Sequence, residues 1–264
     1  MPLEKCLREE FIPAVIGRKV SDLEREVLSL PVRYGGLGIA NPVNTCEREY
    51  SASKLITEDL ADLIYQQEQD LSLFDKEKQE HTIKELKSNK EKFNSDYHKE
   101  ISNQIADAHI KRNMELNKEK GAGSWLTALP LQEHGFSLNK QEFRDAICLR
   151  YGWKIPNTPP FCGWGKKNSI DHTLICMKGG YVTMRHNNVR DLNSELQREV
   201  CRDVVIEPQL LPLDNEVVQG AQGDQVALDI SSRGLWSTFE RTFFDVRVLH
   251  PNAPSYFSKD VEKL

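Results

Sequence analysis

The sequence predicts an α+β chain with a helical N-terminal half, and two patterns carry that prediction. Early in the chain, apolar residues recur at helical spacing: Leu3, Leu7, Phe11 and Ile12 form one stripe, and Leu23, Val27, Leu28 and Leu30 a second. Late in the chain the pattern changes to short apolar runs that read as strands, at Val204–Glu207, Gln225–Ile230 and Phe239–Val248.

Each element follows from local chemistry. Pro31 stops the second helix, and Gly35–Gly36 in the run Leu30–Ile39 permit a tight turn. A helix from about Glu47 to Gln69 follows, with Tyr50, Leu55, Leu60, Leu63 and Ile64 as its apolar set. Residues 71–120 are rich in Lys, Glu, Asn and Gln. From Asp75 to Lys120 there are eleven Lys and Arg against ten Asp and Glu, so the segment is dense in charge and nearly neutral. Its apolar residues (Ile83, Leu86, Phe93, Ile101, Ile105, Ala108, Met114) are too sparse for a heptad, which predicts a long solvated helix or helical hairpin. Gly121–Ser124 reads as a hinge. A short helix capped by Asn139 carries Phe143, Ala146, Ile147 and Leu149, and Pro156, Pro159 and Pro160 end regular structure. From Tyr181 onward the order is helix, strand, strand, strand. The chain thus falls into segments 1–70, 71–120, 121–180 and 181–264, without an internal repeat.

Composition narrows the function classes. At 264 residues the chain holds one large domain or two smaller ones. A net charge of −5 argues against a protein dominated by phosphate binding, while leaving room for locally basic segments. The first residues are charged, no apolar run reaches membrane length, and the six cysteines are scattered. The expectation is an intracellular chain without a membrane partner, whose cysteines serve metal or core rather than disulfides.

Three constellations carry chemistry. Asp229 ends one strand-like run and Asp245 lies inside the next, with Arg247 two residues on. Two carboxylates on neighbouring strands with a nearby cation suit Mg2+ beside a phosphodiester. Alternation puts Asp245 and Arg247 on one face and Phe244, Val246 and Val248 on the other. The same spacing fits a solvated hairpin whose polar face carries charges.

Cys162, His172 and Cys176 form the second group. They supply three of the four ligands a structural Zn2+ requires, with Trp164 two residues after Cys162 and with Cys148 or His134 as candidates to complete the set. A loop with two buried thiols and a surface histidine is the alternative. The third group opens a helix whose stripe is Val189, Leu192, Leu196 and Val200. His186 and Asn187 at its entrance, with Arg185, Arg190, Arg198 and Arg202 around them, suit a phosphate at free backbone N–H groups. A capping or solvated histidine fits equally. Glu207, at the end of the following strand, is either a further acid or an exposed strand end.

A helix followed by three strands, with an acid on the middle strand and Asp-x-Arg on the last, resembles the front half of a PD-(D/E)xK restriction-like nuclease. The resemblance puts Asp229 and Asp245 at the acids and Arg247 at the position of the family's lysine. Leu228 stands where the family has proline. Arg stays protonated, so it stabilises developing charge rather than acting as a base.

A wider resemblance covers most of the chain outside the charged segment. F-I-P-A-V-I-G and L-P-V-R-Y-G-G-L-G-I are similar to the thumb of a non-LTR retrotransposon polyprotein. S-W-L-T-A-L-P-L and F-R-D-A-I-C-L-R-Y-G-W are similar to the segment before its Cys-Cys-His-Cys knuckle. D-H-T-L-I-C-M-K-G-G-Y-V-T-M-R-H-N-N-V-R-D and L-D-I-S-S-R-G-L-W-S-T-F-E-R-T-F-F-D-V-R-V-L-H-P resemble the knuckle's second half and the restriction-like endonuclease.

The resemblance implies a thumb-like part (1–70), a charged helical linker (71–120), a knuckle-like module (121–180) and a nuclease-like domain (181–264). It implies DNA or RNA as partner, Asp229 and Asp245 on Mg2+, Arg185 and His186 on the nucleic-acid backbone, and a location in nucleus or cytoplasm. Three departures stand out: Trp164 replaces the second knuckle cysteine, no polymerase metal pair lies upstream, and a further helix and strand would be needed beyond Leu264. The resulting expectation is a helix-plus-mixed-sheet domain of the PD-(D/E)xK type in truncated form. Its site would be a vestigial or weak Mg2+-dependent endonuclease within a nucleic-acid-binding fragment. A non-catalytic helical interaction or scaffold protein adopted by the host is the competing class.

Overall fold

The computed structural model describes residues 1–67, 74–135, 137–178, 180–209 and 228–259. The chain divides into two compact units, Met1–Ile155 and Pro156–Leu264. The division falls at the proline-rich stretch and not at Gly121–Ser124, so the 121–180 segment contributes to both.

Unit 1 is helical. Its first helix runs as α1 (Pro2–Cys6), a π-helical turn (Leu7–Phe11) and α2 (Ile12–Ile16). Pro13 has no N–H to give the carbonyl four residues back. The ladder widens just before it, and the Ile12 N–H bonds Leu7 O five residues back. Ile12 and Ile16 are buried while Leu3 and Phe11 stay exposed, so the expected first stripe is turned partly outward. Ser21 and Glu24 form a capping box on α3 (Asp22–Ser29), whose Val27 and Leu28 enter the core together with Leu30.

The turn after Pro31 needs both glycines. Gly35 has φ +85°, and a Cβ at Gly36 would lie 1.9 Å from Leu30 O. Arg25 of α3 is fully buried and makes bonds of 2.8 Å to each Glu4 carboxylate oxygen, with Ile39 O and Ala40 O taking further N–H groups. Those acceptors keep the guanidinium satisfied away from water.

α4 (Pro42–Tyr65) starts five residues before the predicted helix because Asn41 caps it and Pro42 fits its first turn. Tyr50, Leu55 and Ile64 of its expected apolar set are exposed. The predicted end at Gln69 lies outside the described residues. The charged segment forms α5 (Lys76–Gln104) and α6 (Ala108–Leu116), each capped by an aspartate, Asp75 and Asp107. It is not only a solvated linker. Ile101, Ile105 and Met114 are buried in the same cluster as Ile12, Leu28, Ile147 and Tyr151. After α7 (Ser124–Thr127), α8 (Lys140–Tyr151) opens with the Asn139–Glu142 capping box and buries Ile147 and Cys148, while Leu149 faces outward.

Unit 2 is α+β. It holds α9 (Ile170–Ile175), α10 (Tyr181–Val200) and the strands β1 (Arg202–Ile206), β2 (Ile230–Arg233) and β3 (Arg241–Phe244). The sheet order is β1-β2-β3, and both pairings are antiparallel. The expected mixed sheet is therefore not found among the described residues. The β2–β3 link, Gly234–Glu240, is a hairpin and joins only antiparallel neighbours. β1 carries a bulge at Asp203 (φ +50°), between the Arg202↔Arg233 and Val205↔Ser231 pairs.

The expected stripe of α10 is inverted. Val189, Leu192, Leu196 and Val200 are exposed, whereas Ser194 and Gln197 are buried. Polar groups lie under the helix: His186 faces Asp229 and Arg190 pairs with Glu207, so its polar side turns inward.

Candidate metal centre and its surroundings

Local chemistry shapes the Cys162–Cys176 segment. Cys162 N–H donates to Lys166 O and Gly165 N–H to Cys162 O, at 2.9 Å each, closing a tight turn whose flanks pair at Phe161 and Lys167. Gly165 takes φ +72°, which a side chain would resist. Ser169 then caps α9 by accepting the His172 N–H at 3.1 Å. That cap sets His172 one turn before Cys176.

The turn and the helix bring Cys162, His172 and Cys176 together, with one ligand atom from each lying within 4.8 Å of the others. A tetrahedral Zn2+ with Zn–S of about 2.3 Å would draw such atoms to roughly 3.8 Å, a small adjustment. Cys176 is buried, and His172 Nε2 is buried without a protein hydrogen-bond partner. A metal would satisfy that nitrogen, and the thiol–imidazole donor set is the one zinc prefers. Trp164 N–H donates to Cys162 Sγ at 3.4 Å. That donation, with His172, the Lys166 backbone and Cys176 nearby, holds the Cys162 thiol down at about 7, against desolvation that pushes it up.

Of the two candidates for a fourth ligand, only Cys148 has a described side chain. Cys148 is buried in the core of unit 1, and the His134 side chain lies outside the described residues. Among the described residues this trio is the only group of three or more His, Cys, Asp or Glu side chains placed to share an ion.

The acidic site is arranged differently from the expectation. Asp229 immediately precedes β2 instead of ending a strand, and Asp245 immediately follows β3. The ladder sets Ile230 opposite Phe244, so both aspartates sit at one end of the same hairpin. Asp229 takes the Val246 N–H and lies 3.3 Å from His186 Nε2; Asp245 pairs with Arg247 at 2.7 Å. Burial along β3 and beyond alternates as predicted, with Asp245 and Arg247 exposed. The residues Gln225–Ala227 lie outside the described set.

His186 and Asn187 are not at the helix entrance. α10 begins at Tyr181, so both sit in its second turn, where their N–H groups serve the helix ladder. His186 Nδ1 lies 3.3 Å from Asn187 Oδ1. Arg190 is largely buried between Asp191 and Glu207, and Arg185 is half-buried. His186, through Asp229, and Arg190, through Glu207, tie α10 to the sheet region.

Two features escape sequence reading. Asp171 beside His172 lies 2.9 Å from His250 Nε2 and accepts from Asn252 Nδ2 at 3.2 Å, joining α9 to the segment after β3. The partners are separated by 79 and 81 residues, so no local signal reports them. Phe161 and Trp164, on either side of Cys162, are 60% and 58% exposed. No protein-family profile, curated protein or solved structure matches the chain.

Proposed function

We propose that the chain is a nucleic-acid-binding piece of a retrotransposon-derived polyprotein, organised by a metal on Cys162, His172 and Cys176. The observation that carries the reading is this trio, with a buried unpartnered His172 nitrogen, flanked by the exposed rings of Phe161 and Trp164. Exposed aromatics beside basic groups accept unstacked bases. Lys166 and Lys167 lie in the same turn, and from Cys162 to Arg202 seven Lys and Arg face four Asp and Glu within a chain of net charge −5.

Asp229 and Asp245 are the remnant of an Mg2+-dependent DNA endonuclease centre in this reading. Each carboxylate is engaged by protein groups, Asp229 by His186 and Val246 and Asp245 by Arg247, which leaves little donor capacity for a hard cation. Cleavage is weak or lost as a result. The helical-interaction reading is favoured by one observation, the exposed Tyr50, Leu55, Ile64 and Tyr65 on α4.

The test combines metal content with binding. One Zn2+ per chain, lost in Cys176→Ser and His172→Ala, should accompany oligonucleotide binding that weakens steeply with salt. Absence of bound zinc together with salt-insensitive or absent binding would transfer the case to the helical surface. Plasmid cleavage in Mg2+ or Mn2+ that Asp245→Ala abolishes would overturn the remnant assignment.

A further inference from the structure

We propose a second nucleic-acid contact in unit 2, at the β2–β3 hairpin: a row of three arginines holds phosphates of a single strand while Trp236 and Phe239 stack on its bases. The proposal rests on the nucleic-acid reading for its ligand class and on none of the metal-centre residues.

The arginine row follows from strand register. Arg202 pairs with Arg233 across β1 and β2, and Arg233 pairs with Arg241 across β2 and β3. Residues directly opposite in an antiparallel ladder share a face, with Cβ atoms about 5 Å apart, and like charges placed so repel. Three guanidinium groups are thus strung over two strand spacings, roughly 10 Å. One carboxylate serves two of the three: Asp203 Oδ2 forms ion pairs with Arg233 Nη1 at 3.6 Å and with Arg241 Nη2 at 3.8 Å. Arg241 Nη1 also donates to Ser231 Oγ at 3.0 Å, which fixes its direction without neutralising it. A surplus of aligned guanidinium groups matches the spaced anions of a phosphodiester backbone, which accept forked N–H pairs.

The hairpin turn starts where the row ends. Gly234, next to Arg233, takes φ +97°, and the turn carries Trp236 at 78% and Phe239 at 88% exposure. Two aromatic rings held this far into water beside a cationic row form the stacking-plus-phosphate pairing used on single strands. A duplex keeps its base faces stacked inside and offers the rings nothing. Ser237, Thr238 and Glu240 interrupt the apolar tip, which disfavours insertion into an anionic bilayer.

The experiment measures anisotropy of a fluorescein-labelled oligothymidylate, and of a duplex of equal length, with the full chain. Three variants accompany it: Trp236→Ala/Phe239→Ala, Arg233→Gln/Arg241→Gln and Cys162→Ser/Cys176→Ser. The aromatic variant should bind the single strand about tenfold or more weakly, with duplex binding unchanged. The arginine variant should lose affinity and flatten the log–log salt slope by about 1.4, two phosphates' worth. Both should keep parental zinc content and circular dichroism, since Trp236, Phe239 and Arg233 are exposed and Arg241→Gln retains an amide donor for Ser231 Oγ.

Parental single-strand affinity in the aromatic variant overturns the hairpin site. If the cysteine variant alone then loses affinity, the nucleic-acid reading survives without it. No binding of either oligonucleotide by the parent chain sinks both. A Trp236-dependent fluorescence shift on phosphatidylserine vesicles but not on oligothymidylate would give the hairpin to a membrane surface instead.

Discussion

The Cys162 thiol is held down at about 7, and the chief cause is local: the Trp164 N–H aims at its sulfur. The sign follows from linkage. The folded state favours the thiolate, so the stabilisation is complete above pH 9, shrinks as pH falls toward 7, and is gone below it. Protons compete with a metal for this ligand only near and below pH 7. In metal-free protein, the iodoacetamide alkylation rate of Cys162 should rise with a midpoint near pH 7, and added Zn2+ should suppress it; a midpoint near 9 would remove the turn's influence. The candidate ligands were legible in the sequence because Cys and His at short spacing are rare enough to notice. The turn geometry was not, since Trp164 acts through its backbone N–H and not through its side chain.

At the scale of elements, α10 separates what periodicity reveals from what it leaves open. The spacing of Val189, Leu192, Leu196 and Val200 identifies a helix and one coherent face. It does not say which face turns inward, because that depends on Asp229 and Glu207, which arrive later in the chain. Helix and sheet meet through polar groups, so apolar substitution on the inner face overpacks it. Ser194→Leu should therefore cost about 1–3 kcal/mol in chemical denaturation. Leu196→Lys, at a position 55% exposed, should stay within about 0.5 kcal/mol. The reverse ranking would mean that the apolar stripe is the packed one. In the charged segment, Ile101, Ile105 and Met114 are too sparse for a heptad, yet three buried residues suffice to dock α5 and α6 into a shared core.

For the whole molecule, the two units differ in what holds them. Unit 1 has a continuous apolar cluster running from Ile12 to Trp153, to which Trp125, Leu126 and Phe143 add partly buried area. Those last residues follow Gly121–Ser124, which is why that glycine pair reads as a hinge in sequence and is not a boundary in space. Unit 2 buries only Cys176 and Ile230 as apolar side chains among its described residues, beside Ser194, Gln197, Ser231, Ser232 and Asn252. So small an apolar core supplies little hydrophobic stabilisation, and a structural metal is the usual supplement. The Asp171–His250 and Asp171–Asn252 contacts carry any ordering of α9 to the segment that leaves the sheet. Metal occupancy should then be felt throughout unit 2 and not in unit 1. Calorimetry of the zinc-loaded chain should resolve two transitions, and a strong chelator should lower one while leaving the other in place. Peptide-resolved hydrogen exchange assigns them: residues 156–178 and 241–259 should lose protection together, while α3, α5 and α8 keep theirs. Loss of protection confined to Cys162–Cys176 would reduce the metal to a local clip and leave unit 2 to be held by its polar contacts alone.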